Sequence, residues 1–426
     1  MAGLTYVNFN QDKSLLAVAT TRGLRIYSTD PFELQNSSYE DEISLVEQLF
    51  STSLVAMVLT PRLLRIVNTK VEQRHSTICE LTFHGMIVAI KMNRKKLVVL
   101  LEEILFIYDI SNMRLQHQQP TPLNSAGICA ISANSECNYL AIPHYQKNAA
   151  NLPARPSHVP KSVMKEPIGG DVLLYDLNKM EEVTVIQAHQ TPLSCIAINN
   201  EGTLMATSSE KGTVIRIFSI PDGKKLYQFR RGSMPARIYS MSFNATSTLL
   251  CVSSATETVH VFKLAPPGSN NLAHGNGNGA HANSPPTSPL QNSFSTRDRS
   301  ESPATSEDQS ESATLDGDPA AVHIARQPRQ PGFMSFVRRT SQNVSTGLVT
   351  RAAGYLPSSV TEMWEPQRDF AWMRVPRGAN GMPVRSVVAM ANNMPHVMVA
   401  TNEGDFYVYT IDLERGGEGT LVKRYE

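Results

Sequence analysis

The chain has 426 residues, 41% of them hydrophobic, and 39 Lys and Arg against 38 Asp and Glu give a formal net charge of +1. It is long enough to bury a large core, and without a global field it is not drawn to nucleic acid or to a membrane surface, so recognition of a charged partner must be local. Five scattered cysteines (Cys79, Cys129, Cys137, Cys195, Cys251) with no CxxC pair read as reduced thiols in a core rather than a disulfide or zinc framework, which places the chain in the cytosol or nucleus.

The N-terminal MAGLTYVNFNQDKS carries neither a basic n-region nor an apolar h-region. No apolar run approaches the ~20 residues a bilayer span needs, so membrane contact is peripheral. From there β-rich runs come in sets of four, recurring about every 40 residues. LTYVNFN, LLAVAT and GLRIYST open the chain; ISLVEQLF, SLVAMVLT, LLRIVNTK and STICELTF follow; MIVAIKMN, KLVVLLE and ILFIYDIS form a third set. GICAISAN, YLAIPHY, DVLLYDL and EVTVIQAH make a fourth, LSCIAIN, LMATSSE, VIRIFSI and KLYQFRR a fifth, and IYSMSFN, LLCVSS and TVHVFKL begin a sixth. RSVVAMA, HVMVATN and DFYVYTI make a seventh.

Alternating Val, Ile, Leu and Tyr with Asn, Gly, Asp and Ser turns is the signature of strands and hairpins. Seven sets predict an all-β fold, a seven-bladed WD40-like β-propeller; a two-sheet sandwich is the alternative. No amphipathic helices separate the strands, which argues against a parallel α/β sheet.

After TVHVFKL the composition shifts at Pro266 to a Ser/Pro/Asn/Gly-rich tract that cannot bury enough apolar surface to offset its ordering entropy, and disorder is predicted there. RDFAWMRVP then supplies the missing fourth strand of blade six. The expected organisation is propeller over 1–264, a disordered insertion over 265–367 with an amphipathic helix near 333–356, and the end of blade six with blade seven over 368–426. A smaller basic insertion (Lys147, Arg155, Lys161, Lys165) separates the second and third strands of blade four and has no assigned role.

No G-x-S-x-G elbow, phosphate loop, H-E-x-x-H or Cys/His cluster is present, so neither an enzymatic role nor a metal, cofactor or small-molecule substrate is expected. Charge is concentrated instead. Lys211, Arg216, Lys224, Lys225, Arg230, Arg231 and Arg237 stand against Asp222 alone, and a solvated edge strand protected by its charge is the plain explanation. A second pattern favours binding: aligning GTVIRIFSI with ETVHVFKL on Phe218 and Phe262 sets Arg216 level with His260. Each is preceded by a serine pair and a threonine, Ser208, Ser209 and Thr213 in one blade and Ser253, Ser254 and Thr258 in the next. Adjacent side chains of a strand point to opposite faces, so Arg230 and Arg231 are expected to serve two anion pockets, each completed by hydroxyls. Gly232 is expected to let the backbone turn after the pair.

Phe229-Arg230-Arg231-Gly232, the TSSEKGTVIRIF and SSATETVHVFKL stretches and the interrupted sixth blade together resemble the PROPPIN family of phosphoinositide-binding propellers, along the whole chain. The resemblance implies two rim sites for phosphatidylinositol 3-phosphate and phosphatidylinositol 3,5-bisphosphate. His189, Ser209, Thr213, Arg216 and Arg230 would line the first, and Arg231, Ser254, Thr258 and His260 the second. It implies a partner too: Pro61 and Arg62, in a turn of blade two, match the region where relatives dock the lipid-transfer protein of autophagy.

Within the insertion, Phe333, Phe336, Val337, Val344, Leu348 and Tyr355 gather on one helical face, with Arg338 and Arg339 off it and no acid over 333–356. This describes a helix lying in a membrane interface, although Arg351 falls on the apolar face and must snorkel; a partner-binding helix or plain disorder is the alternative. The expected function is a phosphoinositide effector that recruits the autophagy machinery to preautophagosomal, endosomal and vacuolar membranes, against a protein scaffold indifferent to lipid. Ser-Pro sites at Ser284, Ser288 and Ser302 would oppose anionic lipid when phosphorylated.

Overall fold

The computed structural model describes residues 3–39, 42–71, 76–145, 168–264, 367–378 and 380–426. Among them every regular element is a strand, and these form seven antiparallel sheets, as expected for a seven-bladed propeller. The sheets follow chain order: β1–β4 (Leu4–Phe9, Leu15–Thr20, Gly23–Thr29, Phe32–Tyr39), β5–β8 (Leu45–Gln48, Leu54–Thr60, Leu63–Asn68, Thr77–Thr82) and β9–β12 (Ile87–Met92, Lys96–Leu101, Ile104–Asp109, Leu115–Pro120). Then come β13–β16 (Ala130–Ile131, Tyr139–Tyr145, Ile168–Asp176, Glu181–His189), β17–β20 (Leu193–Ile198, Leu204–Ser209, Val214–Ser219, Lys225–Arg230) and β21–β24 (Ile238–Phe243, Leu249–Ser254, Thr258–Lys263, Ala371–Arg374). Blade seven is β25, β26, β27 and β29 (Ser386–Met390, His396–Thr401, Phe406–Thr410, Thr420–Tyr425), and the short β28 (Gly417–Glu418) adds in parallel to β24.

Local chemistry repeats with the blades. An Asn closes the hairpin between first and second strands: Asn10 Oδ1 accepts from Leu15 N, Asn199 Oδ1 from Thr203 and Leu204 N, and Asn244 Oδ1 from Thr248 and Leu249 N. Such side-chain-to-backbone bonds let the chain reverse without leaving buried amides unpaired. Among the described residues no strand from one end completes a sheet at the other. Instead the ring closes on an aromatic cluster, with Phe32 stacked on Phe406 at 4.5 Å and tilted against Tyr425 at 4.5 Å. Each sheet buries both faces against its neighbours, so the middle strands β10 and β22 are buried at all six positions.

β24 pairs antiparallel with β23, so RDFAWMRVP does complete blade six. The insertion helix with Phe333, Phe336, Val337, Val344 and Leu348 lies outside the described residues, as does most of the blade-four insertion. All five cysteines are free.

Candidate anion-binding rim

Blade five presents its outer strand so that alternate residues face different neighbours. Arg216 pairs across from Gln228, and Arg230 from Val214, which share one face; Ile215, Ile217 and Phe229 occupy the other and pack with Phe243, Leu250 and Phe262 of blade six. Phe229 stacks on Phe262 at 4.9 Å between ring centres, which fixes the strand next to the arginine pair.

The face of Arg216 looks toward blade four. Its Nε donates to Gln228 Oε1 at 2.9 Å, and its Nη1 donates to the Ala188 carbonyl at 2.7 Å and to His189 Nδ1 at 3.2 Å. A guanidinium only donates, so His189 Nδ1 accepts and Nε2–H donates to Thr207 Oγ1 at 2.9 Å. His189 is 9% exposed, and burial, with the Arg216 charge second, holds it down to about 4. It is therefore neutral near pH 7, with both nitrogens engaged in holding Arg216. Around it, donors stay uncommitted. The Arg230 guanidinium is exposed, and among the described residues neither it nor the hydroxyls of Ser209 and Thr213 have a side-chain hydrogen-bond partner.

Arg231 turns the other way and is 7% exposed. Its Nε donates to the Gly212 carbonyl at 2.8 Å, Nη2 to the Met234 carbonyl at 2.5 Å and Nη1 to Thr256 Oγ1 at 3.3 Å. Thr256 Oγ1 lies 2.8 Å from Ser254 Oγ and 3.0 Å from Thr258 Oγ1, Thr258 Oγ1 lies 2.9 Å from His260 Nε2, and His260 Nδ1 lies 2.8 Å from Asp369 Oδ2. A line of polar groups thus runs from guanidinium to carboxylate. Burial lowers the pKa of both Arg216 and Arg231, so each favours a nearby anion.

The structure brings together Arg231, Ser254, Thr258 and His260, and it seats Arg216, Arg230, His189, Ser209 and Thr213 on blade five and its border with blade four. Two residues sequence reading passed over belong with them. Thr256 is the hub of the hydroxyl cluster, and its place between Ser254 and Thr258 was a usable signal; Asp369, 109 residues from its partner, had none. Gly232 is corrected: a Cβ there meets nothing within 4 Å and its backbone is not left-handed, so the turn does not require glycine. Gly212 does, with φ +57 and the Ala236 carbonyl standing where a Cβ would go.

Pro61 and Arg62 form the exposed β6–β7 turn, tied down by bonds from Ile87 N to the Pro61 carbonyl at 2.7 Å and from Arg62 Nε to the Phe83 carbonyl at 3.0 Å. Among the described residues no helix is long and apolar enough to cross a membrane, and no cluster of metal-ligating side chains occurs.

Residues 3–152 and 158–271 match the PROPPIN family model. The chain is 54% identical over 430 residues to Autophagy-related protein 18 of Phaeosphaeria nodorum, covering 99% of this chain and 100% of that one. Against Autophagy-related protein 18 of Neosartorya fischeri it is 49% identical over 430 residues, covering 99% and 96%. Among solved structures, a complex of KlAtg21 with the coiled-coil of AgAtg16 matches with TM-score 0.64 and 26% identity over 100% of this chain and 99% of that one. Kluyvelomyces marxianus Hsv2 matches with TM-score 0.64 over the same shares at 15% identity and so shares the fold.

Proposed function

The chain belongs to the PROPPIN family, and from that premise we propose that it is a non-enzymatic effector that reads 3-phosphorylated phosphoinositides at two rim pockets and recruits autophagy machinery to the membranes carrying them. The observation that carries this reading is the divergence of Arg230 and Arg231: one guanidinium is exposed on the blade-four side and the other is wired to blade-six hydroxyls. Each pocket offers guanidinium and hydroxyl donors to a phosphomonoester of roughly −1.5 to −2 charge, and charge-assisted bonds contribute about 1.5–3 kcal/mol each.

Phosphatidylinositol 3-phosphate and phosphatidylinositol 3,5-bisphosphate are the proposed ligands, on preautophagosomal, endosomal and vacuolar membranes. The segment 333–356 is the proposed third contact. Two pockets and a helix on one membrane gain avidity of about 10²–10⁴ over a single site. The coiled-coil bound in the KlAtg21 complex supports the recruiting half of the proposal, and the Pro61–Arg62 turn is a proposed dock for the lipid-transfer protein.

Vesicle sedimentation tests it. The Arg230→Thr, Arg231→Thr double variant should lose its preference for vesicles containing 3-phosphoinositide over plain phosphatidylcholine. Undiminished preference means that the paired arginines do not read these lipids and the mechanism is wrong; equal sedimentation of the parent with both vesicles means the chain is a scaffold indifferent to these lipids.

A further inference from the structure

The inner strands β1, β5, β9, β13, β17, β21 and β25 wall an axial cavity of about 760 Å³, a size typical of small-ligand sites. Five charged side chains line it, Lys13, Lys91, Arg237 and Arg385 against the lone carboxylate of Glu47. That carboxylate is already committed: it is 5% exposed, accepts from Asn8 Nδ2 at 2.8 Å and Gln11 Nε2 at 3.2 Å, and faces Lys91 Nζ at 3.8 Å. Among the described residues Lys13, Arg237 and Arg385 have no carboxylate within bridging distance and no side-chain hydrogen bond. A chain with a net charge of +1 thus lines one open-mouthed cavity with an excess of three positive charges, two of them on the exposed side chains of Arg237 and Arg385.

Arg237 and Arg385 stand immediately before β21 and β25, at the mouth where the inner strands begin, and Lys13 and Lys91 stand toward the mouth where they end. Their charges still meet in one volume. The Tyr6 phenol feels both Lys91 and Arg385, and the Cys195 thiol feels both Lys91 and Arg237. Burial draws the Lys13 ammonium down to about 8, a cost that a bound anion offsets. Concave cavities lined by one sign of charge focus the field and gather counter-ions.

We propose that this axial channel is a second, separate ligand site, which takes a small, multiply phosphorylated anion. Guanidinium forks suit phosphate oxygens, and two guanidiniums at one mouth, with two ammoniums further along the same axis, fit a compact polyanion better than an extended acidic peptide. The site shares no residue with the rim pockets. Arg237, which continues the basic run of Arg230 and Arg231 in sequence, is sent by the fold to the channel instead.

Calorimetric titration of the full chain with sodium tripolyphosphate, against sulfate at matched ionic strength, tests the site. One saturable event is expected with tripolyphosphate and none with sulfate. It should persist within about twofold in the Arg230→Thr, Arg231→Thr variant and weaken at least about tenfold in Arg237→Gln, Arg385→Gln, whose side chains hold nothing else and can be changed without disturbing the fold. Lys13→Gln, at the opposite mouth, should weaken it about threefold or more. Absence of saturable binding overturns the proposal, as does binding lost in the rim variant but kept in the channel variant. Arg237- and Arg385-dependent binding of a glutamate-rich peptide without binding of tripolyphosphate overturns the ligand class.

Discussion

His260 Nδ1 meets Asp369 Oδ2 at 2.8 Å, so the strand residue of the proposed second pocket is held by a carboxylate from the segment through which the chain returns from its long insertion. The same segment touches the proposed first pocket, since Arg230 N donates to the Gln367 carbonyl at 2.9 Å. Two residues of the return segment, Gln367 and Asp369, therefore reach the two proposed rim sites.

Asp369 places a negative charge beside the ground that a phosphate needs. Asp369→Asn should raise affinity for 3-phosphoinositide vesicles about fivefold, corresponding to removal of roughly 1 kcal/mol of like-charge repulsion. Sedimentation across a lipid titration measures it. A fall in affinity would mean that the carboxylate helps binding by holding the His260 ring in place.

Folding should depend on pH through His189. In the unfolded chain an ordinary histidine takes a proton as pH falls through 6.5, whereas the buried His189 resists until about 4. Unfolding gains a proton across that window, so stability falls as the medium is acidified from pH 6.5 toward 4, by about 3 kcal/mol at most, and flattens below. Melting temperatures of His189→Gln should drop less steeply than the parent's between those limits; parallel curves would rule the effect out.

The two arginines should differ in what they do for the fold. Arg230→Thr breaks no side-chain bond among the described residues and should leave stability within about 0.5 kcal/mol. Arg231→Thr strands the Gly212 and Met234 carbonyls and should cost about 2 kcal/mol. Denaturant midpoints of the two single variants decide the order.

Gly212 gives a further check, because its φ of +57 and the adjacent Ala236 carbonyl exclude a side chain. Gly212→Ala should destabilise the chain by about 1–3 kcal/mol and weaken lipid binding, since the backbone forced to shift carries the Gly212 carbonyl that Arg231 holds. Gly232→Ala, in open space, should do neither.

Much of this was legible in the alternation of apolar residues, because inner and middle strands pack against neighbouring blades and so carry a strong pattern. The outer strands β4, β12 and β29 escaped for the opposite reason. FELQNSSY, LQHQQP and TLVKRY are largely exposed, and an edge strand that repels pairing looks like a loop in sequence. β28 escaped because a two-residue parallel addition has no composition of its own. At the rim, strand alternation anticipated the separation of Arg230 and Arg231. The tie from Asp369 to His260 depends on where the chain returns after the insertion, and the role of His189 as a holder of Arg216 depends on a contact between two blades.

The central claim, that the paired arginines serve two independent pockets, is tested most directly by sedimenting each single variant and the double variant with 3-phosphoinositide vesicles, with melting temperatures as a check on folding. Arg230→Thr and Arg231→Thr should each retain partial binding, at least about tenfold weaker than the parent, and the double variant should retain none. If either folded single variant loses binding as completely as the double while the other matches the parent, the rim holds one pocket and the account fails.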